Sequence, residues 1–316
     1  MIVITGAAGF IGSALVRYLN DQGIFSLILV DDLKGKEKWK NLVGKRFFSL
    51  ISRHKIFEYL QGKEKDIQAV IHLGACSNTL ERDGDYLLEN NTRFSIRLAE
   101  FCIEHGIRFI YASSAATYGD GREGFSDDHG LIVKLRPLNL YGFSKHLFDL
   151  WLYERGLLDK VVGLKYFNVF GPNEYHKGEM ASMIYKMAGQ VANGGVVYLY
   201  KSTEPGQYAD GEQVRDFIYV KDAVRMTCSF LDNHLFGIFN IGRGEKGTWN
   251  QLAKALFRAM KKEIRICYIE TPQPLVKQYQ NFTLADMKKF PSGYSCATLE
   301  DAVSDYVPYI TRQERW

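Results

Sequence analysis

Residues 1–12 read Met-Ile-Val-Ile-Thr-Gly-Ala-Ala-Gly-Phe-Ile-Gly, and an amphipathic stretch, Ile11 to Asn20, follows directly. Ile2 to Thr5 is a β-branched run ended by glycine, the pattern of a short buried strand. Gly6, Gly9 and Gly12 then stand at a Gly-x-x-Gly-x-x-Gly spacing. Each has a mechanical use: a tight turn, close approach of backbone to a pyrophosphate, and close packing of helix on strand. An anion held there rests on a helix N-terminus, where unpaired N–H groups and the helix dipole favour it. A glycine turn alone could be only a tight turn. Here the next strand-like run, Leu27 to Val30, ends at Asp31-Asp32 about twenty residues on, where a carboxylate can accept the ribose hydroxyls of a dinucleotide.

Working outward, Ala69 to Leu73, Phe109 to Ala112 and Val161 to Tyr166 also read as buried strands, with helices expected near Tyr86 to Glu104 and Tyr141 to Glu154. Strands alternating with helices predict an α/β fold, a doubly wound parallel sheet of the Rossmann type whose ligands lie beyond the carboxyl ends of the strands. After residue 168 the alternation becomes irregular, and a polar, turn-rich stretch runs from Lys201 to Gln213. The expected organisation is a dinucleotide-binding domain over 1–167, rejoined by about 215–242 through the strand-like RDFIYV (Arg215 to Val220) and GIFNIG (Gly237 to Gly242). A second, smaller α/β substrate-binding domain takes 168–214 and 243–316.

Composition excludes several classes. With 46% hydrophobic and 24% charged residues, a chain of 316 residues has ample apolar surface for a core and is neither disordered nor fibrous. A formal charge of +4 is too small for a nucleic-acid coat. No stretch approaches the apolar length of a membrane span, and the apolar start lacks the basic n-region of a secretory signal. Cys76, Cys102, Cys228, Cys267 and Cys296 form no Cys-x-x-Cys pair, so they read as buried thiols of a cytoplasmic protein, with no metal site expected. The positive excess is concentrated between residues 34 and 46, where Lys34, Lys36, Lys38, Lys40, Lys45 and Arg46 face only Glu37. Cations directly after the ribose acid can hold the extra phosphate of NADP, whereas a carboxylate there ordinarily favours NAD, so the run tilts the choice toward NADP and leaves NAD as the alternative.

The chemistry is expected from Tyr141-Gly142-Phe143-Ser144-Lys145. A spacing of four places the phenol and the ammonium on one helix face. A phenol of pKa about 10 becomes a base near neutrality only if roughly 4 kcal/mol of stabilisation reaches its charged form, which Lys145 together with a positively charged nicotinamide can supply. Ser114 comes just after the strand Phe109 to Ala112, at the sheet edge, so its hydroxyl can hold a reacting sugar hydroxyl while Tyr141 takes the proton.

These residues resemble the extended short-chain dehydrogenase/reductase superfamily, in which the glycine loop, ASSAATYG (Ala112 to Gly119), YGFSK, RDFIYV and FNIG occur in this order. HLGACSNT (His72 to Thr79), YFNVFGPNEYHKGEMAS (Tyr166 to Ser182) and YQNFTLADM (Tyr279 to Met287) make the chain most similar to the ADP-L-glycero-D-manno-heptose 6-epimerases of lipopolysaccharide core synthesis. The resemblance implies inversion at carbon 6 of a nucleotide-linked heptose through a transient aldehyde, with tightly bound NADP that is not consumed, and a homo-oligomer. It implies Tyr141 as acid/base for one epimer and Lys177 for the other, supported by Ser114 and Lys145. It further implies cofactor contacts at Phe10, Ile11, Asp31, Asp32, Lys38, Arg53, Leu73, Gly74, Ala75, Cys76, Ser77, Asn90 and Val169, and substrate contacts at Asn168, Lys186, Arg215 and Tyr279. Three positions depart from the family pattern: Arg53 replaces a lysine, Glu179 a serine and Lys186 a histidine.

Other readings differ at particular residues. A sugar dehydratase would need acids beside Ser114, where this chain has Ala115 and Ala116. A UDP-hexose 4-epimerase with NAD shares the glycine loop and the Ser114, Tyr141, Lys145 set, but rotates its keto-sugar and needs no second base such as Lys177. A non-catalytic dinucleotide-binding regulator would have no use for the intact triad.

Overall fold

A computed structural model describes residues 1–33, 37–276, 280–291 and 293–316. A seven-stranded sheet, parallel throughout, runs from edge to edge as Gly237–Ile241, Val161–Tyr166, Arg108–Ser114, Ala69–His72, Ile2–Thr5, Leu27–Val30 and Ser49–Ile51. Strand order reverses on either side of Ile2–Thr5, and that reversal opens the crevice at the carboxyl ends. The edge strand Ser49–Ile51 is too short and mixed to stand out in the sequence; pairing with Ile28 to Val30 creates it.

Successive strand residues point to opposite faces, so Ile2, Ile4, Leu27 and Leu29 join one core, and Val3, Ile28, Val30 and Val70 the other. The first core also takes Leu15 and Leu19 of the helix Phe10–Asp21 and continues through Ile184 and Met187 to Leu252, Leu256, Val303 and Tyr306. One apolar layer therefore ties the cofactor-type half to the helices Met183–Gly194, Trp249–Ala259 and Leu299–Arg312.

Two sequence expectations change. The helix expected over Tyr86 to Glu104 is a short α-turn at Gly84–Leu87, a π-helical stretch at Leu88–Arg93 and an α-helix at Phe94–Glu104. In this wider turn Asn90 lines the crevice and Asn91 is buried beside it, and π-bulges are frequent at functional sites. RDFIYV is two strands: Val214–Arg215 pairs with Gly247–Thr248, and Phe217–Tyr219 with Asn168–Phe170. Between them the buried Asp216 carboxylate accepts from the amides of Arg243, Gly244 and Ala285, which breaks the ladder. The chain returns to the main sheet at Gly237–Ile241 instead. The cysteines also differ from expectation: Cys102 and Cys228 are buried, Cys76 and Cys296 are intermediate, and Cys267 is exposed because it lies on the outer edge strand Ile266–Ile269. No helix among the described residues is long and apolar enough to cross a membrane.

Candidate active site

The crevice is a cleft of about 860 Å³ at the carboxyl ends of the strands. On its floor Gly6 adopts a φ of +67°, and a Cβ there would meet the Gly74 backbone at 2.8 Å. A Cβ on Gly12 would lie 2.1 Å from the Gly6 carbonyl oxygen, so the loop closes only with glycine at both positions. The helix beginning at Phe10 has Gly9 as its N-cap, no capping side chain and no acid in its first turn. No side chain competes for its first amides, and the loop fits an anionic diphosphate.

Asp31 holds this loop. Its carboxylate accepts from the Ala8 amide at 2.8 Å, from the Asp32 amide at 2.8 Å and from Lys38 Nζ at 2.5 Å. Asp32 is met by Arg53 at 2.9 Å and by Ser52 at 2.8 Å. Burial works to raise the Asp32 carboxyl, but Ser52, Arg53 and His54 outweigh it and hold the group below the usual carboxylate range. Arg53 also donates to Asn90. The basic run divides: Lys38 lines the cleft, Lys40 pairs with Glu37, Lys45 reaches the Trp316 main-chain oxygen and Arg46 stacks on Phe25. Lys34 and Lys36 lie outside the described residues.

Leu73, Gly74, Ala75, Cys76 and Ser77 follow the strand Ala69–His72 into the cleft. Their loop is fastened by Asn91, which accepts from the Cys76 amide at 2.8 Å and donates to the Cys76 carbonyl at 2.9 Å and to Ser144 Oγ at 3.0 Å. Sequence reading missed Asn91, since a buried amide in an apolar helix carries no local signal of its partner. Beneath the loop, buried His72 lies 2.6 Å from Thr5 Oγ1 and 2.8 Å from Ser95 Oγ.

The helix Leu140–Glu154 is capped by Asn139, whose side chain accepts from the Gly142 amide at 2.8 Å. It brings Tyr141 and Lys145 to the cleft opposite the strand end at Ser114. Burial raises the Tyr141 phenol, a hydrogen bond with Ser114 opposes this, and Cys76 adds to the rise. Lys145 donates to the Ala112 carbonyl at 2.8 Å, and burial lowers its pKa to about 8 against the pull of Asp149. Burial thus outweighs the Ser114 hydrogen bond at this phenol. One turn below Lys145, buried Asp149 accepts from Tyr111 at 2.9 Å, Ser113 at 2.7 Å and Lys165 at 2.8 Å.

Lys177 enters from the 3₁₀ segment Tyr175–Met180. Its ammonium stands 5.5 Å from the centre of the Phe10 ring. Burial lowers its pKa, and the nearby Glu174 carboxylate partly offsets that. Asn168 and Val169 line the same wall, together with His176, Met180 and Trp249, which sequence reading did not single out. Arg215 is buried behind them, donating to the Val214 carbonyl at 2.8 Å with its guanidinium 5.3 Å from the Trp249 ring centre. Lys186 lies outside the cleft lining, bonded to the Glu179 carbonyl at 2.7 Å and 3.5 Å from its carboxylate. Tyr279 falls outside the described residues.

The profile of the NAD dependent epimerase/dehydratase family matches residues 2–242, which include the glycine loop and the Ser114, Tyr141, Lys145 set. The chain belongs to that family. This epimerase/dehydratase is 51% identical over 314 residues to the ADP-L-glycero-D-manno-heptose-6-epimerase of Nitratidesulfovibrio vulgaris (strain DP4), with 97% of each chain covered. Its fold matches the crystal structure of Helicobacter pylori ADP-L-glycero-D-manno-heptose-6-epimerase with a TM-score of 0.80 at 26% identity, over 98% of this chain and 96% of that one. It also matches a Thermotoga maritima UDP-glucose 4-epimerase with UDP-glucose, with a TM-score of 0.78 at 27% identity over 99% of each chain. Backbone shape alone does not separate these two kinds of epimerase. The sequence does separate them: identity is 51% to the Nitratidesulfovibrio vulgaris heptose enzyme and 27% to the UDP-glucose 4-epimerase.

Proposed function

We infer that this epimerase inverts carbon 6 of ADP-D-glycero-D-manno-heptose to give the L-glycero epimer, with tightly bound NADP, in the cytoplasmic synthesis of the lipopolysaccharide core. Carbon 6 is bonded to carbons 5 and 7, so its oxidation gives a transient ketone and not the aldehyde that the resemblance suggests. The observation that carries the two-base form of this reading is the presence of Tyr141 and Lys177, from distant elements, in one cleft. Inversion requires hydride to leave one face of carbon 6 and return to the other, so the carbonyl oxygen points in a different direction in each epimer, and two differently placed acid/base groups can serve those two positions.

When bound, the cofactor supplies a hydride acceptor and donor. The diphosphate would rest on the glycine loop at Gly9 to Gly12, and the adenosine ribose would lie beside Asp31 and Asp32. Lys38 and Arg53 neutralise those two carboxylates and present donors to a ribose phosphate, which supports NADP over NAD. Gly74 to Ser77, Asn90 and Val169 would border the rest of the cofactor. Tyr141 holds or takes the proton of the carbon 6 hydroxyl of one epimer, oriented by Ser114, and Lys145 holds the phenol's surroundings positive. Lys177, desolvated and of lowered pKa, does the same for the other epimer. Asn168, Lys186, Arg215 and Tyr279 are assigned to the nucleotide sugar. In this reading residues 1–167 and about 215–242 hold the dinucleotide, residues 168–214 and 243–316 hold the substrate, and the working form is a homo-oligomer.

The deciding experiment incubates the purified protein with ADP-D-glycero-D-manno-heptose and, separately, with UDP-sugars, and follows the epimers by NMR. Conversion of the heptose is expected; turnover of UDP-glucose alone would overturn the reading.

A further inference from the structure

The turn that carries Lys177 is anchored from an unexpected direction. Asn173, four residues earlier, is fully buried and has a φ of +80°, a left-handed conformation unusual for a residue with a side chain. Its side chain donates to Ser13 Oγ at 3.1 Å and to the Trp316 main-chain oxygen at 3.0 Å, and accepts from the Trp316 amide at 2.9 Å. Its carbonyl accepts from Asn41 Nδ2 at 3.0 Å. The same Asn41 amide lies 3.1 Å from the Ala8 carbonyl of the glycine loop and 3.2 Å from His176 Nδ1, next to Lys177. Arg315 donates to Asn41 Oδ1 at 3.2 Å and lies over the Tyr175 ring, and the Tyr175 hydroxyl donates to the Glu314 carbonyl at 2.8 Å. The helix Leu299–Arg312 ends at Gln313, whose φ of +54° turns residues 314–316 back into this network.

We propose that residues Glu314 to Trp316 are a positioning strap that, through Asn173 and Asn41, fixes the Lys177 turn against the glycine loop. The proposal rests on the reading of Lys177 as the second base. None of the three strap residues lines the cleft; the strap sets the distance between the glycine loop and the Lys177 turn. Without it the turn retains its backbone bond from the Lys177 amide to the Glu174 carbonyl, and the Asn41 and Asn173 side chains that register it to Ala8 and Ser13 lose their partners at Arg315 and the Trp316 main chain. The Asn41 and Asn173 amides at the centre of this network are buried and uncharged, so loss of the Asn173 side chain frees the turn without removing a charge from the site.

The test uses the full-length protein with its bound cofactor. Asn173→Gly tolerates the positive φ and removes every side-chain bond of the hub, and Arg315→Ala is a milder second variant if the first folds poorly. Two quantities are measured: the rate at which Lys177 is methylated by formaldehyde and borohydride, read by peptide mass spectrometry, and the kcat and KM for the heptose substrate. Labelling of Lys177 is expected to rise several-fold, and kcat to fall by about tenfold or more with KM little changed, as for a misplaced catalytic group. Unchanged labelling together with unchanged kcat would overturn the strap. Faster labelling with kcat unchanged would uphold the strap and overturn the role of Lys177 in chemistry.

Discussion

Lys38 donates to the Asp31 carboxylate at 2.5 Å, and the other oxygen of that carboxylate accepts from Ala8 at 2.8 Å in the glycine loop. An acid that would repel a ribose phosphate is thereby neutralised while it braces the glycine loop. Arg53 does the same for Asp32.

Charge at the ribose end should therefore govern cofactor choice. Lys38→Ala and Arg53→Ala should each weaken NADP binding by about tenfold or more at low salt while changing NAD binding far less, because the lost interactions are charge-assisted. Titration of cofactor-stripped protein with NADPH and with NADH, followed by fluorescence, checks this. Equal losses for both nucleotides would contradict it.

Tyr141→Phe and Lys177→Met should each reduce epimerisation by about a hundredfold or more, the usual scale of a lost general acid or base. Both variants should retain bound cofactor, which absorbance of the purified proteins will show. Full activity in Lys177→Met would remove the second base from the mechanism.

The environment of His72 implies an acid-sensitive fold. Thr5 Oγ1 accepts from the Gly74 amide and Ser95 donates to the Asn91 carbonyl, so the imidazole accepts from Thr5 and donates to Ser95, with no room for a second proton. Burial, reinforced by Lys145, lowers its pKa to about 3. The unfolded chain then binds a proton below about pH 6.5 that the folded one refuses, so stability is fully present above that pH and is lost as pH falls from there toward 3. At pH 5 this amounts to about 2 kcal/mol. Urea midpoints at pH 7.5 and pH 5 should converge in His72→Asn relative to the parent protein; an unaltered pH dependence would show that other groups carry it.

Asp149 and Lys165 form a pair with side-chain exposures of 0% and 2% beneath the Tyr141–Lys145 helix turn. Asp149→Leu should destabilise the fold by about 3–5 kcal/mol, because it strands a buried ammonium, and the double variant with Lys165→Met should recover much of that loss. Denaturant unfolding of the two variants decides; equal destabilisation of single and double variants would mean that the pair's worth is packing alone.

The site was legible wherever its residues sit at fixed spacings on one element. The glycine loop, the acids closing Leu27–Val30, the Ser114 strand end and the Tyr141–Lys145 spacing line one cleft, and all are local patterns. The basic run was legible as charge but not as geometry, since Lys40, Lys45 and Arg46 are engaged elsewhere and only Lys38 among its described cations reaches the cleft. Asn91, Asn41 and Asn173 could not be assigned partners from the sequence because a buried amide is defined by its partners, and those that fix these three stand between 15 and 274 residues away.

By itself the sequence determined the alternation of strands and helices, the glycine loop and the residue types available for proton transfer, because hydrophobic period, glycine spacing and side-chain chemistry act over a few neighbouring positions. Only the tertiary structure decided the π-turn that aims Asn90 and Asn91, the break of RDFIYV at Asp216, and the convergence of the last residues, Asn41 and Asn173 behind Lys177. Those features depend on which buried polar group meets which, and burial forces every such group to find a partner that chain proximity does not supply.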